Sequence, residues 1–594
     1  MIAVQQFAGP AVKSGPALLD LLLRPGKHCL AVRFGLGALA CGGFRFRVAL
    51  LLGAGLQVRS LGLCLCKDLL GFGFRLSAQS AGSGIGVFVC CEHRCNVFIS
   101  RSLRRFKVIE QCDYPIRLGE ESFKHKIIPF PMVEEICQVL QGFRELMQDY
   151  GVEVYRAQAT TAVREARNQV YLLDQVKLRT GLTVEVTEMP MEIYTKFIAI
   201  RHTLAEQHIP TDEGMMLIDI SSGGLGITGI ESDKITFQEN FHIGIIRIKE
   251  SFNYYQRSSQ HFNRALMQFL ASTTGPVKAA LRGRSMRYLV ISGTETELLL
   301  KILGKKSAGP GGLTHLARDE FMAVFDEIRN LNLPQMIQLF HVTEDEAEIM
   351  LPMILLYEQL LSLVPTAQEI IVSDETFIDG MRLRYIVQQK EPEYAAGLED
   401  ELLSLVHHVG ENYHYDYSHV SQVEKISLAI FDKIGRRYGL NDHHRLLLRA
   451  ACILHDIGKY VSMRSHSLYS YQLIMGTDII GFTEEDKQII ALASYYHAHN
   501  VLEGDFGDNS IVKPPAQEKI PLVAKLSAIV RLADALDRSY LQKIDKVKVQ
   551  IQNRELVIKV HSRMDLDLEE WVFASKATML EEVYGIEVRL EREL

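Results

Sequence analysis

Residues 446–460 read LLLRAACILHDIGKY. The dense apolar run predicts a buried helix, and its end carries an imidazole and a carboxylate in adjacent positions, His455 and Asp456. Neighbours on a helix point about 100° apart, so the two reach one ion only from a helix end that faces a cavity. Upstream, His419 opens HVSQVEKISLAIFDKIG; downstream, Asp534 lies within KLSAIVRLADALDRS. Three helices would then bring two imidazoles and two carboxylates to one point. Mixed nitrogen and oxygen ligation of this kind suits Mn²⁺, Fe, Mg²⁺ or Zn²⁺. His466 (RSHSLYSYQLI) and His497 (SYYHAHN) fall between the HD pair and Asp534. They are either ligands of a second ion or ordinary core and surface histidines. Lys459 either meets a phosphate or caps the helix C-terminus. His407, His408, His414, His443 and His444 are expected to be solvated.

The pattern around this stretch is helical from 400 to 540, preceded by a linker over 388–400 (QQKEPEYAAGLED). The tail, 541–594, alternates apolar and polar residues over 546–552 and 555–560 around Asn553-Arg554, which predicts a β-hairpin, followed by a helix and a strand. Before the linker, strand and helix patterns alternate, as in α/β layers. One unit spans 108–212, with helices over 131–150, 162–177 and 192–206. A second spans 213–390, with strands at 215–220, 225–231, 234–239, 288–292 and 370–373, the last followed by a turn through Asp379-Gly380.

Five hundred and ninety-four residues exceed one hydrophobic core, so two to four domains are expected. A net charge of −7 gives no global mark of a nucleic-acid binder. Charge is uneven, however. Residues 1–107 hold 14 Lys and Arg against three acids, whereas the rest holds 51 basic and 69 acidic residues. Seven of the ten cysteines also precede residue 96, in CxC and CCxxxC spacings that lack the paired CxxC of zinc sites. The apolar run 48–74 is broken by Arg59, Lys67 and glycines, so it does not predict a spanning helix, and no secretory leader is visible. With little periodicity, 1–107 is expected to be foreign to the fold, as a shifted reading frame would produce. Cys112, Cys137 and Cys452 fit a reducing cytoplasm, the expected location.

The order H…HD…D resembles the HD phosphohydrolase superfamily. That resemblance implies His419, His455, Asp456 and Asp534 as metal ligands, with His466 and His497 serving a second ion as in some HD proteins. Residues 108–390 are similar to the exopolyphosphatase/guanosine pentaphosphate phosphatase (Ppx/GppA) family. The similarity runs through YRAQATTAVREARN, IDISSGG, FHIGIIRIKE and SGTETEL. It implies two actin-like α/β lobes followed by an all-α HD domain and a small α+β tail. It also implies a divalent metal (Mg²⁺ or Mn²⁺), a homodimer, and polyphosphate or guanosine pentaphosphate as substrate, with no membrane or nucleic-acid partner. Glu165 would position the attacking water and Asp219 would hold metal. Ser222, Gly223 and Gly224 would present backbone N–H groups to phosphate, with Glu192 near the same cleft. Three departures stand out. Ser221 and Ser222 replace two loop glycines, Phe377-Ile378-Asp379-Gly380 stands where an R-E-G turn belongs, and no D-[IV]-G-S-N-S loop occurs in 1–107. The function expected is phosphoanhydride hydrolysis. The alternatives are an HD centre acting on a nucleotide or phosphoester, and a sensor of polyphosphate or an alarmone with an impaired cleft.

Overall fold

The computed structural model describes residues 106–594, apart from 115, 117, 153–154, 222, 253–255, 257–260, 310, 330, 500–510, 553–554 and 594, together with four strands before residue 106. The strands are β1 (Ile2–Ala3), β2 (Phe7–Ala8), β3 (Gly84–Cys90), β4 (Arg94–Ser100), β5 (Phe106–Asp113), β6 (Tyr155–Ala159) and β7 (Glu185–Val186) in the first lobe. They form a sheet in the order β1-β6-β3-β4-β5, with β2 beside β3 and β7 beside β6. β3, β4 and β5 make an antiparallel meander, and β3 runs parallel to β6. Regular structure therefore starts earlier than the boundary at 107 that the sequence suggests. GIGVFVC and RCNVFIS are rich in β-branched and aromatic residues that suit a pleated surface, but their alternation is too short to stand out from the glycine-rich stretch before them. The cysteines at 29, 41, 64 and 66 and the apolar run 48–74 lie outside the described residues.

The helix expected over 162–177 is two helices, Thr161–Arg164 and Gln169–Thr180, with Glu165 closing the first. Asn168 fixes the break: its amide donates to the Ile128 carbonyl at 2.8 Å, and its Oδ1 accepts from the Ile128 N–H at 3.0 Å. Side chains of this type compete with helical hydrogen bonding and so mark helix boundaries.

The second lobe contains β8 (Met215–Ile220), β9 (Leu225–Glu231), β10 (Lys234–Phe241), β11 (Tyr288–Gly293), β12 (Leu313–Ala317) and β13 (Glu369–Ser373). Their order is β10-β9-β8-β11-β13-β12, with β8, β11 and β13 parallel at the centre. Every residue of β8 is buried, as in a central strand covered on both faces. Only β12 escapes the sequence reading. It is an edge strand whose two buried residues, Leu313 and Leu316, fall on opposite faces, and its five residues are too few to show a period.

Two expectations about the junction fail. Phe377–Lys390 is a helix capped by Thr376, not a turn, because Asp379 and Thr376 form a reciprocal capping box. The 388–400 linker is also helical, since Pro392–Asn412 starts on Pro392 directly after a one-residue break. Helices then run to Ala535, and β14 (Lys546–Gln552), β15 (Glu555–His561) and β16 (Glu587–Glu593) form the tail sheet, with helix Asp567–Tyr584 between β15 and β16. No helix among the described residues is long and apolar enough to cross a membrane.

Helix Phe377–Lys390 packs against helix Met189–Glu206 at Gly380, where a Cβ would lie 1.9 Å from the Thr195 carbonyl oxygen. A helical Gly→Ala change ordinarily stabilises by about 1 kcal/mol. Here the sign should invert: Gly380→Ala is expected to lose about 2 kcal/mol through forced separation of the helices. A denaturant midpoint at or above that of the parent chain would contradict this packing.

Candidate metal centre and phosphate cleft

Five helix ends converge in the helical domain. His419 lies in the first turn of Tyr417–Ile434, where the Asp416 side chain accepts from its backbone N–H at 3.0 Å. His455 closes Asp442–Leu454, and Asp456 leads the short 3₁₀ turn Ile457–Tyr460. Asp534 belongs to the last turn of Ile520–Ala535, His466 opens His466–Gly476, and His497 closes Glu484–Tyr496. All six side chains predicted from sequence are thus brought together, and all but His466 are buried.

The imidazoles are held from outside. His419 Nδ1 is 2.9 Å from Asp537 Oδ2, His455 Nδ1 is 2.7 Å from the Cys452 carbonyl, and His497 Nδ1 is 2.5 Å from the Ser494 carbonyl. His466 Nδ1 faces the Met463 carbonyl at 3.2 Å. A ring that donates through Nδ1 keeps its Nε2 lone pair. Those Nε2 atoms turn inward. His419 Nε2 is 3.5 Å from Asp534 Oδ1 and 3.6 Å from Asp456 Oδ2, while His455 Nε2 is 3.5 Å from Asp456 Oδ2 and 3.9 Å from Asp534 Oδ1. His466 and His497 approach the other oxygen, Asp456 Oδ1, at 3.5 and 3.9 Å. Two overlapping donor sets result, His419/His455/Asp534 and His455/Asp456/His497, each with its ligand atoms within 4.8 Å of one another.

A cation fits this arrangement. His419 Nε2, His455 Nε2 and Asp456 Oδ1 are buried with no hydrogen-bond partner, a costly condition unless the lone pairs serve a ligand. Burial holds His455 below its ordinary pKa and pushes His497 down to about 3, so both rings are neutral, as ligation requires. Burial opposes ionisation of Asp534, but Lys576 together with His419, His497 and His455 outweighs it, and the carboxyl stays well below its usual range. His419 differs: burial alone would lower it, yet Asp534 and Asp537 raise it to about 9. Two carboxylates that hold a proton on a buried imidazole supply the negative field that a divalent cation needs.

Three partners escape the sequence reading. Asp537 follows Asp534 by three residues, a helical spacing that could have disclosed it. Tyr540 stacks on His419 with ring centroids 3.8 Å apart and donates to Asp456 Oδ2 at 2.7 Å. Lys576 reaches Asp534 Oδ2 at 2.6 Å from the tail helix, 42 residues away in sequence, with no local signal. Lys459 caps no helix. Its ammonium sits 4.2 Å over the Tyr540 ring and bonds to Asp456 and to the Tyr540 hydroxyl. Of the histidines expected to be solvated, His443 instead pairs with Asp486 at 2.7 Å and His407 packs on Tyr415 and Tyr417.

The α/β site is more closed. Asp219, at the end of β8, is paired with Lys196 at 2.7 Å, and each side chain is only 4% exposed. An ammonium therefore stands where a metal was expected. Glu165 is bonded by Lys126 at 2.8 Å and by Arg247. Burial acts against its ionisation, yet these two cations hold the carboxyl below its ordinary value. Gly223 is required: a Cβ there would meet Thr161 Cγ2 at 2.6 Å and Phe123 Cζ at 2.8 Å, and its carbonyl accepts from Arg247 Nε at 2.8 Å. The Gly224 N–H is taken by Ser221 Oγ at 3.0 Å. Ser222 lies outside the described residues. Glu192 is buried, 3.3 Å from Arg164.

Beside this loop, at the carboxyl ends of β11 and β13, lies a cavity of about 660 Å³ lined by Lys196, Thr203, Thr294, Glu375, Asp379 and Arg382 among others. Burial raises Glu375 to about 7, and Thr203 Oγ1 donates to it at 2.8 Å. A carboxyl whose folded pKa exceeds its unfolded value destabilises the fold as pH rises from the unfolded pKa through the folded one. Glu375→Gln should therefore raise stability at pH 8, by about 1–3 kcal/mol, and by much less at pH 5. Equal effects at the two pH values would refute that burial account.

Gly458 tests the metal centre. A Cβ on it would lie 2.0 Å from the His466 carbonyl oxygen and 2.3 Å from the Ser470 N, and Ser470 Oγ in turn donates to the His455 carbonyl at 2.7 Å. Gly458→Ala should displace both histidines and weaken Mn²⁺ binding roughly tenfold or more, as loss of supporting contacts does at metal sites. Calorimetric titration checks this, and unchanged affinity would contradict the assignment.

Comparison with known proteins agrees with this organisation. Residues 97–388 match the Ppx/GppA phosphatase family, and residues 404–585 match Ppx/GppA phosphatase, domain III. A guanosine-5'-triphosphate,3'-diphosphate pyrophosphatase of Photobacterium profundum is 22% identical over 372 residues, which cover 59% of this chain and 67% of the relative. Among solved structures, the Aquifex aeolicus Ppx/GppA family member is 20% identical with a TM-score of 0.43, covering 52% of this chain and 95% of its own. An exopolyphosphatase from Cytophaga hutchinsonii is 17% identical with a TM-score of 0.44, covering 50% and 96%. With both matches in chain order over most of residues 97–585, the chain belongs to the Ppx/GppA phosphatase family.

Proposed function

We propose that this chain is a metal-dependent phosphohydrolase whose working centre is the cluster of HD type in the helical domain, releasing phosphate from a phosphoanhydride such as polyphosphate or guanosine pentaphosphate. The observation that carries the reading is the inward set of buried, unpartnered ligand atoms on His419, His455 and Asp456. A divalent ion, Mg²⁺ or Mn²⁺, held there with Asp534 would lower the pKa of a bound water and polarise a phosphoryl oxygen. The chain's own residues do the rest. Asp537, Cys452 and Ser494 aim the rings, while Tyr540, Lys459 and Lys576 fix the outer oxygens of the two carboxylates. Lys459, Lys576 and Arg538, which is 3.9 Å from Asp534, put positive charge where phosphate oxygens would gather. His497 with His455 and Asp456 offers the second donor set, and His466 approaches the same Asp456 oxygen.

A second reading places hydrolysis in the α/β cleft, at Glu165. Its support is the meeting of Arg247, Lys126 and Gly223 at one loop, a cationic spot suited to phosphate. Against it, both Glu165 oxygens are bonded, one by Lys126 and one by Arg247, and Lys196 occupies Asp219 Oδ1. Phosphate release from polyphosphate and from guanosine pentaphosphate decides between the two. His455→Ala is expected to lose at least a hundredfold in rate while Glu165→Ala retains most of it. The opposite pattern would move the chemistry to the cleft, and binding without release by the parent chain would leave a sensor.

A further inference from the structure

Helix Asp567–Tyr584 of the tail packs along helix Ile520–Ala535 and grips it at three levels. The Tyr584 hydroxyl donates to the Lys525 carbonyl at 3.1 Å, Lys576 bonds Asp534 Oδ2 at 2.6 Å, and Glu569 reaches past the helix end to the turn that follows it. Positions 569, 576 and 584 recur at about two-turn spacing, so they share one helical face. Glu569 is completely buried. Its Oε1 accepts from the Ser539 N–H at 3.1 Å and its Oε2 from Lys543 Nζ at 2.9 Å. A buried carboxylate needs such partners; the stretch between the two donors gives them a further meaning. Tyr540 and Gln542 both stand there at positive φ, 58° and 46°. Neither residue type favours the left-handed region, so the surrounding contacts must hold them in it. The same turn supplies outer contacts of the metal centre. Tyr540 stacks on His419 and donates to Asp456 Oδ2. Asp537 Oδ1 accepts from the Gln542 N–H at 2.8 Å, and its Oδ2 faces His419 Nδ1 at 2.9 Å.

We infer that Glu569 is a positioning residue of the metal centre, and that the tail is thereby a working part of that centre. The inference rests on the reading of the cluster as a metal site. Glu569 acts through the chain of bonds just described. It holds Ser539 and Lys543 at the two ends of the left-handed stretch, and that stretch keeps Asp537 and Tyr540 against His419 and Asp456. The far end of the turn is anchored separately: Gln422 and Lys425, on the helix that carries His419, donate to the Ile544 and Asp545 carbonyls, both at 2.6 Å. The middle is left to the tail. A bond that served only to dock the tail would do as well anywhere along the two helices, as the one from Tyr584 does. Glu569 instead spends a buried charge on the short turn whose shape the ligand rings depend on.

Titration of the full chain with Co²⁺ tests this, since the visible absorption bands of the bound ion report how its ligands are arranged. Glu569→Asp keeps the charge opposite Lys543 but falls short of the Ser539 N–H, whereas Glu569→Gln keeps an acceptor within reach of it. Both are measured below the onset of unfolding, followed by circular dichroism. Glu569→Asp is expected to weaken Co²⁺ binding about tenfold and to shift the bands, while Glu569→Gln retains the parent's affinity and bands. A lower melting temperature in Glu569→Asp with affinity and bands unchanged would reduce Glu569 to a docking contact and overturn the proposal. Loss of affinity in Glu569→Gln as large as in Glu569→Asp would overturn it too, by assigning the effect to the charge opposite Lys543. A parent chain that binds no Co²⁺ defeats the metal reading and this inference with it; a parent that binds Co²⁺ no better than Glu569→Asp defeats this inference alone.

Discussion

The helical domain is organised by hydrogen bonds that point away from its centre. Each buried imidazole gives its Nδ1 to an oxygen outside the cluster: Asp537 for His419, a backbone carbonyl three residues back for His455 and for His497. The remaining nitrogen has no direction left but inward. Without these outer oxygens the rings could rotate or turn their Nε2 atoms to water, and the convergence of five helix ends would have no chemical meaning. Carboxylates obey the same rule. Asp534 spends one oxygen on Lys576 and presents the other to the rings; Asp456 spends one on Tyr540 and Lys459 and presents the other to His466 and His497. A polar cluster this deep is destabilising when half satisfied, and the unsatisfied half here is the half that faces the middle of the cluster.

The two lobes show what happens when the same residue types find each other. Asp219 and Glu165 are also acidic side chains beside a glycine loop, but each is matched by cations of the chain itself. An ion pair buried on both sides is costly to break, so Lys196 would have to leave Asp219 before a metal could enter. In the helical centre Lys459 and Lys576 each bond only one carboxylate oxygen, and Asp456 Oδ1 and Asp534 Oδ1 stay turned toward the imidazoles. What ranks the helical centre above the cleft is its set of buried inward atoms without a hydrogen-bond partner, Nε2 of His419 and His455 and Oδ1 of Asp456.

Much of this is legible in the chain and some is not, for physical reasons. His419, His455, Asp456 and Asp534 can be read because their order resembles the HD pattern, and because each lies on or at the end of a strongly apolar helical run. The outer partners are harder. Tyr540 acts from beyond the helix end and Lys576 from a separate element, and no local period links either to the site. In the lobes, β8 is readable from its largely apolar run and β9 and β10 from apolar residues alternating with small or polar ones, whereas β12 is an edge of five residues. Phe377–Lys390 reads as a turn because Asp379-Gly380 is a turn dipeptide in isolation, and only the Thr376 capping box and the contact with Thr195 make it helical. Residues 388–400 look like a linker from their charge and glycine, although a proline at the first helical position is a start signal. The segment before residue 106 looks foreign to the fold, yet four of its stretches pair as strands within the first sheet, where tertiary pairing overrides a weak local pattern.

The central claim is that the inward atoms of His419, His455, Asp456 and Asp534 hold a divalent ion. Crystals grown with Mn²⁺ and measured at wavelengths on either side of the manganese absorption edge test it directly. An anomalous peak enclosed by those four side chains is the predicted result. A map with no peak there, or with its peak beside Asp219 instead, would contradict the account.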